Sequence, residues 1–126
     1  MVASATIGTV RRTVPIVDDQ ADFRASARAL LEAEGFEVVG EAASASEAIR
    51  EVARVRPEVV LLDVQLPDLD GFRVAERLAA ASGSSAVVLV SGREASAYGP
   101  RAARAPARGF IPKRALSGEA LAAVVG

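Results

Sequence analysis

Four large apolar residues, Val59-Val60-Leu61-Leu62, run without alternation into Asp63, and the stretch Val64-Gln65-Leu66-Pro67-Asp68-Leu69-Asp70-Gly71 follows at once. An unbroken valine and leucine run bounded by Pro57 and such a turn reads as a strand covered on both faces, as in a parallel sheet between helix layers. A carboxylate directly after the run stands where the strand leaves the core, at its carboxyl end. In open α/β sheets that edge is where ligands bind. Asp63 is the residue around which the remaining pattern is organised.

The rest of the chain supplies the layers such a strand needs. Thr13 to Val17 reads as a first strand running into Asp18-Asp19, with a local defect expected at Pro15, which has no N–H for a ladder. Phe23, Ala27, Leu30 and Leu31 fall on one helical stripe, with Asp22 complementing the dipole in the first turn and Gly35 at the end. Phe36 to Gly40 reads as a second strand. Ser44-Ala45-Ser46-Glu47 has capping-box spacing and opens a helix with Ala48, Ile49, Val52 and Val55 inward, which Pro57 stops. Beyond the central strand, Asp70 caps or begins a helix carrying Val74, Ala75, Leu78 and Ala79. The loop 82–85 leads to a fourth strand, Ala86 to Val90, which ends at Ser91. Residues 93–107 admit only a short helix because of Gly99, Pro100 and Pro106, and Arg101, Arg104 and Arg108 read as a solvated face. Gly109 to Pro112 forms a fifth strand running into Lys113, and a last helix starts near Ser117. Strands and helices alternate throughout, which predicts an α/β parallel sheet with helices on both faces.

Composition matters mainly through what it removes. The chain of 126 residues is 51% hydrophobic with a formal net charge of -1. That is a single globular domain, with no charge excess for non-specific binding to nucleic acid or anionic membranes. It has neither cysteine nor histidine, so disulfides, thiolate sites, the usual zinc ligand and the commonest general base are all absent. No apolar run approaches the roughly 18 residues of a membrane span. Met1 to Arg12 lacks the features of a signal peptide and reads as a flexible tail over 1–12, ahead of a domain over 13–126, in a cytoplasmic protein. Every aspartate lies in one of two windows, Asp18, Asp19 and Asp22, then Asp63, Asp68 and Asp70, and Lys113 is the only lysine beside many arginines. Asp favours caps and turns, so some clustering needs no function; a single retained lysine fits a site needing a compact ammonium.

In a parallel sheet the polar residues that end strands one, three, four and five share one edge. That gathers Asp18, Asp19, Asp63, Ser91 and Lys113. Two like charges about 4 Å apart repel by roughly 4 kcal/mol at an effective dielectric near 20, so three such carboxylates must take up protons or bind a cation. With oxygen ligands alone the cation is hard, and Mg2+ fits best. A bound divalent ion invites a phosphoryl group, which Lys113 and the Ser91 hydroxyl would help to hold. With no histidine or cysteine to attack phosphorus, an aspartate is the available nucleophile.

These residues resemble the receiver domain of bacterial two-component response regulators, over Val14 to about Val125. The matching pieces are Ile16-Val17-Asp18-Asp19, Leu61-Leu62-Asp63 with the turn that follows, Ser91 after the fourth strand, and Gly109-Phe110-Ile111-Pro112-Lys113. The resemblance implies a flavodoxin-like, doubly wound five-stranded sheet in the order 2-1-3-4-5. It implies that Asp63 takes a phosphoryl group from a sensor histidine kinase or phosphotransfer protein. Mg2+ would be held by Asp19, Asp63 and the backbone carbonyl of Gln65, with Asp18 helping through water. Lys113 would pair with the phosphoryl oxygens and Ser91 would bond to one of them. Ser91 and then Phe110 would move on phosphorylation, changing a helix 4–strand 5–helix 5 face that meets a downstream protein, with self-association left open and no direct contact to nucleic acid or membrane. The domain would not be an enzyme beyond its own phosphorylation and dephosphorylation. Phe110 lacks a hydroxyl, so a tyrosine-type bond in the switch is not expected, and Arg114 stands where the family commonly has proline. The chain ends after one such domain, as a stand-alone receiver or a fragment of a longer regulator.

Two other classes stay open on the same residues. One is a phosphorylation-independent pseudo-receiver that acts only as an interaction module. The other is a Mg2+-dependent phosphatase with an aspartyl nucleophile, which would want an acid where Gln65 stands.

Overall fold

The core strands follow from the side-chain alternation of a buried ribbon. Val60 and Leu62 point to one face of the sheet and Val59 and Leu61 to the other, and all four are buried. Each fully buried side chain of this size contributes roughly 1.5–3 kcal/mol, so the run is fixed from both sides. The computed structural model describes residues 12–81 and 84–126. The tail expected over 1–12 thus lies outside the described residues except for Arg12, as do Ser82 and Gly83.

Strands β1 (Thr13–Val17), β2 (Glu37–Ala42), β3 (Val59–Asp63), β4 (Ala86–Ser91) and β5 (Gly109–Pro112) form one sheet in the order β2-β1-β3-β4-β5. Every neighbouring pair is parallel. The helices are α1 (Ala21–Ala33), α2 (Ala45–Val55), α3 (Gly71–Ala81), α4 (Pro100–Arg104) and α5 (Gly118–Val125), with single 3-10 turns at Ala95–Tyr98 and Lys113–Ala115. Ala27 and Leu31 of α1 and Leu121 of α5 cover one face. Ala48 and Val52 of α2 with Phe72, Val74, Ala75 and Leu78 of α3 cover the other. No helix among the described residues is long and apolar enough to cross a membrane.

The defect expected at Pro15 is present: the β1–β2 register shifts between Val14 and Pro15, where the missing N–H leaves a ladder position unfilled. β2 runs two residues further than the expected Phe36 to Gly40. The ladder continues because Val17 pairs with Ala42 and the Asp18 N–H donates to the Ala42 carbonyl at 2.9 Å. Two expected inward residues face out instead. Leu30 is 44% exposed and Ala79 is exposed, each lying at the margin of its helical stripe, while Phe72 is buried at the start of α3.

α2 is capped as its spacing predicts. Ser44 Oγ accepts from Glu47 N at 3.2 Å, and Glu47 Oε1 accepts from Ala43 N at 2.9 Å. Asp68, from the loop after β3, accepts from Ala45 N at 2.8 Å and Ser46 N at 3.1 Å. Those two amides hold the Asp68 carboxyl below its ordinary value. At the other end Arg56 sits in the left-handed region with φ 46° and Pro57 follows. Ser44→Ala is expected to cost only about 1 kcal/mol, because Asp68 still serves the two preceding amides; urea unfolding of the variant checks this.

Candidate functional site

The β1–α1 turn is shaped by Asp18 itself. Asp18 Oδ1 accepts from Gln20 N at 2.8 Å, closing a local turn that α1 continues from. Arg24 holds the same turn from the first helical turns, its NH1 donating to the Asp18 carbonyl at 2.7 Å and its Nε to Glu41 Oε1 at 2.9 Å. Asp18 is wholly buried, whereas Asp19 is exposed. On β3, Asp63 pairs in register with Val90 of β4, and Val64 N donates to the Val90 carbonyl at 3.0 Å. That fixes Asp63 at the carboxyl edge with 4% of its surface exposed.

Carboxylate oxygens of Asp18, Asp19 and Asp63 all lie within 4.8 Å of one another. Lys113, which opens the turn after β5, reaches into this cluster. Its Nζ is 2.6 Å from Asp18 Oδ2 and 3.6 Å from Asp63 Oδ2, and 4.4 Å from the centre of the Phe23 ring. The lysine is thus closer to Asp18 than to Asp63, the expected acceptor. The 2.6 Å approach is ionic rather than a well-directed hydrogen bond, since the buried Asp18 Oδ2 has no aligned donor. Burial first, and then the Asp18 carboxylate, push the Asp63 carboxyl up to about 7, against the pull of Lys113 and of the Gln65 N–H at 3.3 Å. Three oxygen donors, one of them buried without a directed partner, make a set that fits a hard divalent cation such as Mg2+.

The two expected switch residues both meet Tyr98. Ser91 is fully buried at the end of β4. Its Oγ accepts from Arg93 N at 3.1 Å and lies 2.6 Å from the Tyr98 hydroxyl. Phe110, half-buried on β5, packs against the same Tyr98 with ring centroids 6.0 Å apart. Phe110 has no hydroxyl, and the hydroxyl that meets Ser91 is that of Tyr98, in the turn Ala95–Tyr98. Arg101 lies on the solvated face expected of it, and there it bonds Asp70 Oδ2 at 2.7 Å and stands 4.7 Å over the Phe72 ring. Asp70 also caps α3, accepting from Arg73 N at 3.0 Å. Tyr98 is the residue that the motif spacing missed. The one signal for it is that it is the chain's single tyrosine, seven residues after Ser91. A cleft of about 420 Å³ between α2 and α3, floored by Val52 and Leu78 and flanked by Arg56 and Arg77, lies at the opposite, amino edge of the sheet and contains none of these acids.

A family model described as the response regulator receiver domain matches residues 14–125. A Pseudomonas aeruginosa protein named as a transcriptional regulator is 34% identical over 110 residues, which is 87% of this chain and 53% of that protein. The DNA-binding transcriptional activator EvgA of Escherichia coli is 30% identical over 109 residues, 86% of this chain and 53% of EvgA. Among solved structures, a LuxR-family two-component response regulator from Aurantimonas sp. SI85-9A1 superposes with a TM-score of 0.81 at 29% identity, over 90% of this chain and 82% of that one. The chain spans about half the length of the curated relatives it matches. Sheet order and the edge cluster define a flavodoxin-like signalling domain of the receiver class. The chain belongs to the response regulator receiver domain family of bacterial two-component systems.

Proposed function

We propose that Asp63 accepts a phosphoryl group from a phosphohistidine on a sensor kinase or phosphotransfer protein, with Mg2+ held by Asp18, Asp19, Asp63 and the backbone carbonyl of Gln65. The observation that carries this reading is the convergence of three carboxylates and the sole lysine at one strand edge, with Lys113 Nζ within 3.6 Å of Asp63. An ionised Asp63 oxygen attacks phosphorus. The P–N bond to the imidazole breaks, its electron pair stays on nitrogen, and the product is an acyl phosphate. Mg2+, when bound, supplies positive charge to the phosphoryl oxygens.

The chain's own groups divide the remaining work. Lys113 opposes the burial that would otherwise keep Asp63 protonated, and after transfer its ammonium can follow the added negative charge. Ser91 donates to one phosphoryl oxygen. Gln65, exposed on the loop, stands where a phosphatase would need a general acid, which disfavours turnover of exogenous esters. The response is read on the face made by α4, β5 and α5, by a protein partner rather than by nucleic acid. Regulation of transcription, as the names of the relatives describe, would then act through segments beyond this domain.

Intact-mass measurement after incubation with Mg2+ and acetyl phosphate tests the proposal. A single phosphoryl adduct is expected in the wild type and none in Asp63→Asn. Steady phosphate release from an added ester would support the phosphatase instead, and a wild type that takes up neither metal nor phosphoryl would support the inert module.

A further inference from the structure

Ser91 Oγ has one proton and two lone pairs, and it is wholly buried. One lone pair takes the Arg93 N–H. The Tyr98 hydroxyl stands 2.6 Å away, and either atom could donate. If the phenol donated, the Ser91 proton would be left buried with no acceptor among the described residues, a cost that native structures avoid. If Ser91 donates, its bonds are complete, and the phenol proton of the half-buried Tyr98 can point to water. The resting serine therefore gives its only proton to Tyr98.

That assignment has a consequence for the acceptor. Asp63 is in register with Val90, so the Ser91 hydroxyl belongs to the same strand edge as Asp63. It can donate to an oxygen there only by withdrawing its proton from the tyrosine. We propose that Tyr98 is the positioning residue of this site, a latch that holds the Ser91 hydroxyl away from the acceptor until a phosphoryl oxygen competes for its proton. The inference rests on the phosphoacceptor reading of Asp63. It goes beyond it by placing the gating hydroxyl on the turn Ala95–Tyr98 rather than on β5.

The surroundings of the ring fit a latch with somewhere to pass its motion. Tyr98 meets Phe72 edge to face at 5.3 Å and Phe110 at 6.0 Å, with the Arg93 guanidinium 6.0 Å from its centre. Phe72 lies beneath Arg101 of α4, which is tied to Asp70 in the loop that leaves Asp63. Once Ser91 lets go, the phenol has no remaining hydrogen-bond partner among the described residues, and three rings and α4 are free to resettle around it.

Trifluoroberyllate with Mg2+ serves as a phosphoryl stand-in that forms no covalent ester to be lost. Tyr98→Phe keeps the ring and removes only the competitor for the Ser91 proton, so it is expected to bind trifluoroberyllate about fivefold more tightly, the ratio that one neutral hydrogen bond of about 1 kcal/mol represents. Ser91→Ala should bind more weakly, and adding Tyr98→Phe to it should restore nothing, because the two residues act as one unit. Equal or weaker binding by Tyr98→Phe, or an undiminished gain in the Ser91→Ala background, overturns the latch. The chain has a single tyrosine and no tryptophan, so near-ultraviolet absorbance reads Tyr98 alone. Trifluoroberyllate is expected to move the wild-type spectrum to that of metal-free Ser91→Ala, and a spectrum that stays put overturns the latch while leaving Asp63 as acceptor intact. A wild type that takes no trifluoroberyllate overturns both. It remains distinguishable because the spectral difference between metal-free wild type and Ser91→Ala reports the hydrogen bond without any phosphoryl group.

Discussion

Replacing Lys113 with alanine is expected to cost the metal-free protein about 3 kcal/mol near pH 8, whereas Asp63→Asn is expected to gain about 2 kcal/mol under the same conditions. The opposite signs follow from one cluster. Lys113 is the only cation within 4 Å of the buried Asp18 and Asp63 carboxylates among the described residues, and its own side chain is only 20% exposed. Removing it leaves two anions facing each other in a cleft with little water. Asp63 is the partner whose charge is costly: its folded value is lifted from 3.8 to about 7. Between roughly pH 4 and pH 7 the folded state holds a proton that the unfolded chain has released. Stability contributed by this group is complete below its unfolded value and is lost as pH climbs through its folded one. The gain in Asp63→Asn should vanish near pH 4, and the loss in Lys113→Ala should narrow there. Saturating Mg2+ should flatten both differences by binding the folded cluster. Urea titrations at the two pH values, with and without magnesium, decide it. Variants that shift in the same direction, or by amounts independent of pH, would show that the carboxylates are not coupled through the lysine.

The elements legible in the sequence are those whose cause is local. The unbroken apolar run ending at Asp63 needs no partner to announce a doubly covered strand, and Pro15, Ser44 and Pro57 act on the backbone within one or two residues of themselves. The site followed because parallel strands share an edge, so residues that end strands must meet. What was not legible depended on direction in space. Leu30 and Ala79 satisfy the helical stripe, yet lie beyond what the neighbouring strands cover. Lys113 was placed at the right edge, but its tighter pairing with Asp18 than with Asp63 reflects how the turn after β5 approaches the cluster. Tyr98 was hidden because Gly99, Pro100 and Pro106 break the periodicity of its segment, and a hydroxyl-to-hydroxyl contact has no sequence pattern. The partner of the exposed Arg101 has no sequence signal either, since Asp70 is brought to it by the fold and not by spacing.

Gly71→Ala is expected to destabilise the protein by about 2–3 kcal/mol and to slow phosphoryl uptake on Asp63 by at least about tenfold. In the interior of an ordinary helix the substitution would help, since alanine is favoured over glycine by roughly 1 kcal/mol; here the first residue of α3 is pressed against the backbone of Asp63 and Val64. Gly71 N donates to the Val64 carbonyl at 2.7 Å. A methyl group on Gly71 would run into the Asp63 carbonyl oxygen and stand 2.9 Å from Val64 Cα. Neither neighbour is a side chain that can swing aside. Val64 is pinned to β4 through Val90, so relief must come by lifting either α3 or the acceptor from its place. The first costs packing of Phe72 and Val74; the second moves Asp63 relative to Lys113 and the other acids. Gly92 supplies the control, because it follows Ser91 directly but an added methyl there meets nothing within 4 Å. Gly92→Ala should stay within about 0.5 kcal/mol of wild type. If Gly71→Ala unfolds at the wild-type urea concentration and takes up phosphoryl at the wild-type rate, the close approach of helix to acceptor has no part in positioning Asp63.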